Sequence, residues 1–268
     1  MYLDTNLKIE AVTALFGQVL KSYDEKTGIT ADLLSVGDFL LSTIIGKRQT
    51  FATELFIDEE KFFDPQYDYD FTDLSDTAEC ERGDELYKRP KGWYRMALKV
   101  KGKYPDGDTW LGPNGWRSHS VPGEWPVCFH GTSVDGARGI IKTHYKAGPR
   151  AEHGRGIYST PDIHVAEEEK YAKTFKSEKT GKRYKVILQN RINPAMREIC
   201  QRREDYWLVP VLEGTSAERE REIVERSIRP YGILIKEITD DDAGPVGLLE
   251  TKETNNQEEN QCQICYAM

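Results

Sequence analysis

Nowhere in the 268 residues do about 18 apolar residues follow one another, so no membrane-spanning helix is expected. The first residues, Met1-Tyr2-Leu3-Asp4, lack the basic start and apolar run of a signal peptide. Cysteine is scarce. Its five copies, at 80, 128, 200, 262 and 265, form an odd, scattered set that builds no disulfide framework and fits a reducing compartment. A cytoplasmic or nucleo-cytoplasmic protein is therefore expected. The common catalytic signatures are missing as well: there is no G-x-G-x-x-G after a strand, no G-x-x-x-x-G-K-[ST], no H-E-x-x-H and no G-x-S-x-G. The usual phosphate loops, zinc hydrolases and serine hydrolases thus lose their support.

Charge is plentiful, at 31% of residues, and sums to -8. Its distribution says more than its total. Residues 1–129 carry 15 basic and 22 acidic side chains, residues 130–236 carry 21 and 15, and residues 237–268 carry 1 and 8. A globally acidic chain releases few counterions on a phosphate backbone, so nucleic acid is not an expected partner. The basic central block still suits one small anionic ligand.

Along the chain, Leu7, Val12, Leu15, Phe16, Val19 and Leu20 form one helical stripe, and Leu33, Leu34, Val36, Phe39, Leu40 and Ile44 form another after Thr30. Residues 1–56 are read as a helical N-terminal region. Residues 57–90 are rich in Asp and Glu and read as an acidic linker, with Phe62, Phe63, Tyr67, Tyr69 and Phe71 as an alternative acidic-aromatic docking segment. From 91 to 238 strands outnumber helices. They are expected around Trp93–Val100, Val127–Phe129, Tyr184–Leu188, Tyr206–Val211 and Tyr231–Ile238, with helices through Val134–Ile141 and Ala217–Arg226 and a turn at Tyr104–Asp108. Without regular βα alternation, an α+β domain around a mostly antiparallel sheet is predicted. Residues 239–268 read as an acidic disordered tail.

Two short motifs could carry chemistry. Phe129-His130-Gly131-Thr132 closes an apolar strand with a polar side chain and a glycine that permits close backbone approach. Gly154-Arg155-Gly156-Ile157-Tyr158 then opens another strand and delivers Tyr158. In their order, with a helix containing Ile140 and Ile141 between them, these motifs resemble the catalytic core of the poly(ADP-ribose) polymerase-like ADP-ribosyltransferases. Ala166, Tyr171-Ala172 and Tyr231-Gly232-Ile233-Leu234-Ile235 extend the resemblance over Val127 to Ile238.

The resemblance implies a split, mostly antiparallel sheet core with flanking helices, and NAD+ as co-substrate without a metal. It implies that His130 bonds a ribose hydroxyl, that the backbone of Gly131, beside Thr132, meets the nicotinamide carboxamide, and that Tyr158 and Tyr171 flank the nicotinamide ring. Arg150 and Arg155 become candidates for the pyrophosphate. Polymerising members carry a glutamate where Tyr231 stands here. That departure points to transfer of single ADP-ribose units to a protein acceptor, or to a binding module without catalysis. An RNA 2'-phosphotransferase on a related fold is a third reading. A serine expected before Tyr171 is missing too, replaced by Val165 or Glu168.

The last four residues, Cys265-Tyr266-Ala267-Met268, have the C-a-a-X form of a prenylation site, with Cys262 available for a second acyl chain. The acidic tail lacks the polybasic helper that such an anchor wants, and chance or incomplete fit is the simpler account of the match. Membrane association is expected only if Cys265 is prenylated. Cys262 and Cys265 also resemble the opening pair of a RING-type zinc module, but the other ligands are missing.

Overall fold

The structure is a computed structural model that describes residues 3–23, 32–45, 54–75, 79–131, 156–200 and 205–239. Helix α1 (Thr5–Phe16) begins where the Asp4 carboxylate accepts the Leu7 N–H. It ends at Gly17, whose φ of 76° is the left-handed conformation that closes a helix. The apolar stripe therefore stops short of its expected end. Val19 is 73% exposed, and Leu20 begins strand β1 (Leu20–Ser22). Leu33 likewise belongs to β2 (Asp32–Leu33), and α2 (Val36–Ile45) starts after Ser35, whose hydroxyl accepts the Asp38 N–H. With β3 (Leu55–Ile57) these strands make a parallel sheet in the order β1-β3-β2. The N-terminal region is thus mixed rather than helical, because strands of two or three residues are too short to show an alternating pattern.

Residues 57–90 do not run as a linker. Helix α3 (Glu59–Phe62) is capped by Asp58, and β4 (Tyr69–Asp70) and a hairpin of β5 (Glu81–Arg82) and β6 (Glu85–Leu86) follow. Phe62, Phe63 and Phe71 are buried, while Glu60 and Asp70 stay exposed. The aromatics, not the carboxylates, decide the structure here, since they bury apolar area that the charges cannot cancel.

The main sheet adds β7 (Tyr94–Ala97), β8 (Val127–His130), β10 (Lys173–Lys176), β11 (Arg183–Ile192) and β14 (Ile228–Ile238) to β4. Its order is β10-β11-β14-β7-β4, with β8 also paired to β11, and every pairing is antiparallel. One face of the sheet presents Met96, Cys128, Leu188 and Ile233 to the core that includes α1. The other presents Phe71, Trp93, Val127, Phe129 and Leu234, and receives α4 (Ile163–Ala166). A second, antiparallel sheet joins β12 (Glu198–Ile199), β13 (Trp207–Pro210) and β9 (Gly156–Ser159). A bridge connects the two sheets: Phe129 and Thr160 exchange backbone hydrogen bonds of 2.7 and 3.0 Å. Helix α5 (Ala217–Ser227), capped by Ser216, leads straight into β14.

This is an α+β arrangement with mostly antiparallel sheets, as expected from the strand-rich sequence. Met1–Ile238 form one compact unit. No described helix is long and apolar enough to cross a membrane. The expected helix through Val134–Ile141 and the expected tail, 239–268, lie outside the described residues except for Thr239.

Candidate functional site

His130 stands at the end of β8, where the main sheet meets the smaller one. Its imidazole Nδ1 is 2.7 Å from the Tyr158 carbonyl oxygen. A carbonyl only accepts, so Nδ1 carries the proton and Nε2 is the lone-pair nitrogen of the neutral ring. Burial lowers the pKa of His130, and the Tyr158 carbonyl opposes that shift less strongly. The ring is 2% exposed, and Nε2 is buried without a hydrogen-bond partner among the described residues. An orphaned acceptor of this kind is costly unless something donates to it.

Gly131 follows in a cramped position. A Cβ there would lie 2.6 Å from the carbonyl carbon, the oxygen and the Cβ of Tyr171, so only glycine fits. Gly156, at the start of β9, is equally constrained: its Cβ would meet the Val209 oxygen at 2.2 Å. Gly131 and Gly156 therefore set how closely these segments approach the neighbouring backbone. Tyr158, on β9, is half-buried, and burial pushes its phenol up to about 12 with help from nearby Cys200. Tyr171 places its backbone against Gly131, while its ring meets Tyr206 edge-on at 6.5 Å and the two hydroxyls lie 3.0 Å apart. Tyr206 was not singled out in the sequence; its place beside Tyr171 depends on the pairing of distant segments and leaves no local signal.

The structure thus gathers His130, Gly131, Tyr158 and Tyr171 at one corner. It does not bring Tyr231 there. Tyr231 sits where the register of β11 and β14 shifts, Gln189 facing Gly232 and Asn190 facing Pro230. Its ring lines a separate cavity together with Val127, Ala97, Arg95 and Arg191. Side chains alternate along a strand, so His130 points to the face opposite Val127 and Phe129. Thr132, Arg150, Arg155, Cys262 and Cys265 lie outside the described residues. Among the described residues no group of three His, Cys, Asp or Glu side chains is placed to hold a metal ion.

The separate cavity encloses about 340 Å³. The guanidinium of Arg95 lies 5.4 Å from the centre of the Tyr231 ring, and that of Arg191 lies 5.5 Å from it. Arg191 is buried and donates to the carbonyls of Trp125 and Leu111, at 2.5 and 2.6 Å. Burial also raises the Tyr87 phenol pKa, and its hydroxyl accepts from the Gln189 amide. Arg95 falls in the strand expected at Trp93–Val100, but nothing local links it to Arg191.

No protein-family model, no curated protein and no solved structure matches the chain.

Proposed function

We propose that the protein binds NAD+ at the His130 corner and transfers single ADP-ribose units to a protein acceptor. The observation that carries this reading is the orphaned Nε2 of His130, a buried, unprotonated acceptor held in one orientation by the Tyr158 carbonyl. A ribose hydroxyl of NAD+ would donate to it. Gly131 supplies a backbone without a side chain in the way, and Tyr158 supplies an aromatic face, a contact worth about 0.5–1.5 kcal/mol beyond its buried area.

In the reaction the bond between ribose C1' and the nicotinamide nitrogen breaks with its electrons going to nicotinamide, which leaves neutral. The acceptor nucleophile bonds to C1' and loses its proton. Positive charge develops on the ribose meanwhile, so orientation of the leaving group and the sugar matters more than a strong base. His130 contributes orientation through a neutral ring.

The second reading, a binding module without catalysis, has its own support: among the described residues no carboxylate hydrogen-bonds to His130, and Tyr231 lines the separate cavity. Incubation of the full chain with labelled NAD+, alongside calorimetric NAD+ titration, separates the two. Transfer of label to protein, lost in both His130→Ala and His130→Gln, is the expected result. Binding without transfer would establish the module, and absence of both would overturn the NAD+ site altogether.

A further inference from the structure

We propose that the cavity on the face opposite His130 is a binding site for a nucleoside monophosphate, its base against the aromatic wall and its phosphate toward Arg95 and Arg191. The site is distinct from the His130 corner and does not depend on the reading given above.

Charge comes first. Five cationic side chains line the cavity, Arg82, Arg89, Arg95, Lys101 and Arg191, against two acidic ones, Asp64 and Asp108. Both acids are engaged locally: Asp64 accepts from the Gln66 amide, and Asp108 accepts from the Gly102 N–H. Arg95 forms no ion pair with any described residue, and donates only to the Tyr67 carbonyl, at 2.9 Å. Arg191 pairs with Glu124 at 3.8 Å, but Glu124 also pairs with Arg117, so one carboxylate answers two guanidinium groups. The cavity therefore holds more guanidinium charge than carboxylate, with Arg95 outside any ion pair among the described residues. A ligand phosphate supplies it by charge-assisted hydrogen bonds, for which the flat guanidinium is suited.

Unmet hydrogen-bonding capacity points the same way. The Nε atoms of Arg95 and Arg191 are buried and donate to nothing among the described residues, and Arg191 as a whole is only 5% exposed. Buried donors are normally satisfied, so two on the wall of one cavity mark where an acceptor belongs.

The wall itself selects a ring. Tyr231 lies between the two guanidinium groups, with Tyr69 and Phe71 beyond Arg95 at 5.9 and 5.8 Å. At the rim, Trp116 is 63% exposed, an unusual setting for so large an apolar surface. Flat bases stack on such side chains irrespective of their sequence. A cavity of about 340 Å³ fits one small molecule rather than a chain.

Isothermal titration of the full chain with AMP tests the proposal, with adenosine and inorganic phosphate as partial probes. One molecule of AMP is expected to bind, more tightly than either part. Arg95→Gln is expected to weaken binding about tenfold or more, as loss of a charge-assisted hydrogen bond does. Trp116→Ala, at a position 63% exposed, is expected to weaken it at least about fivefold. His130→Gln is expected to leave AMP binding in place. No AMP binding at millimolar concentration would overturn the proposal. So would adenosine binding as tightly as AMP, phosphate binding as tightly as AMP, or loss of AMP binding in His130→Gln with retention in both cavity variants. Because NAD+ transfer is read at the other face, failure of either site leaves the other result intact.

Discussion

His130 is a neutral residue by construction. Its ordinary pKa of 6.5 is lowered in the folded chain because burial penalises the imidazolium. The unfolded chain therefore binds the proton more readily. Its contribution to stability is complete above about pH 6.5 and is lost as the pH falls through the folded-state value, at about 1.4 kcal/mol for each unit between the two. Thermal denaturation of the wild type and His130→Gln between pH 7.5 and 5 should show the gap between their midpoints closing as the pH drops. A constant gap would show that the ring does not titrate in this way. Arg229 illustrates the opposite solution for a buried ionisable group: it pairs with both oxygens of Asp106 and lies against Tyr104 and Trp125, 4.0 and 4.5 Å from their ring centres.

Glycine lets the end of β8 approach the Tyr171 backbone and β9 approach β13. Gly131→Ala forces a methyl group into the Tyr171 backbone, which cannot swing aside as a side chain would, and should cost about 1–3 kcal/mol in urea denaturation. Gly37→Ala is the control. In α2 its added Cβ meets nothing nearer than the Ser35 hydroxyl at 3.7 Å, so helix propensity should make it neutral or stabilising by up to about 1 kcal/mol. An equal loss in both would remove the steric argument. At this scale much of the main sheet was legible. The apolar runs announced β8, β11, β13 and β14, the Glu/Arg pattern announced α5, and Pro105-Asp106-Gly107 announced the turn closed by Gly107 on Tyr104. The parallel sheet of residues 20–57 was not, since its strands are too short for a period. Nor was the direction of Tyr231: a shift in register at Gln189 and Asn190 turns it, and register is set by a partner strand some forty residues away. The neighbourhood of His130 and Tyr158 was readable from motif order, while Arg95 and Arg191 became neighbours only through the sheet.

Across the whole molecule the N-terminal segments are part of the same body as the strand-rich half. Phe62 and Phe63 share a core with Leu98, β4 extends the main sheet beside β7, and Lys8 reaches Asp68 at 3.9 Å. Loss of tryptophan fluorescence, which arises wholly from residues 93 to 207, and loss of helical circular dichroism, to which α1 and α2 contribute, should therefore coincide in a single denaturation transition. Two separated transitions would show that the halves are independent. Helix α1 also has a history imposed by its partners. The Glu178 N–H bonds to Glu10, and Lys179 pairs with Asp4, across 168 and 175 residues of chain. At a synthesis rate of about 5–20 residues per second, α1 waits roughly ten to thirty seconds after it is made before that docking surface exists. A helix made well before the segment it docks on thus reaches its final place late, and its apolar side needs shelter in the meantime.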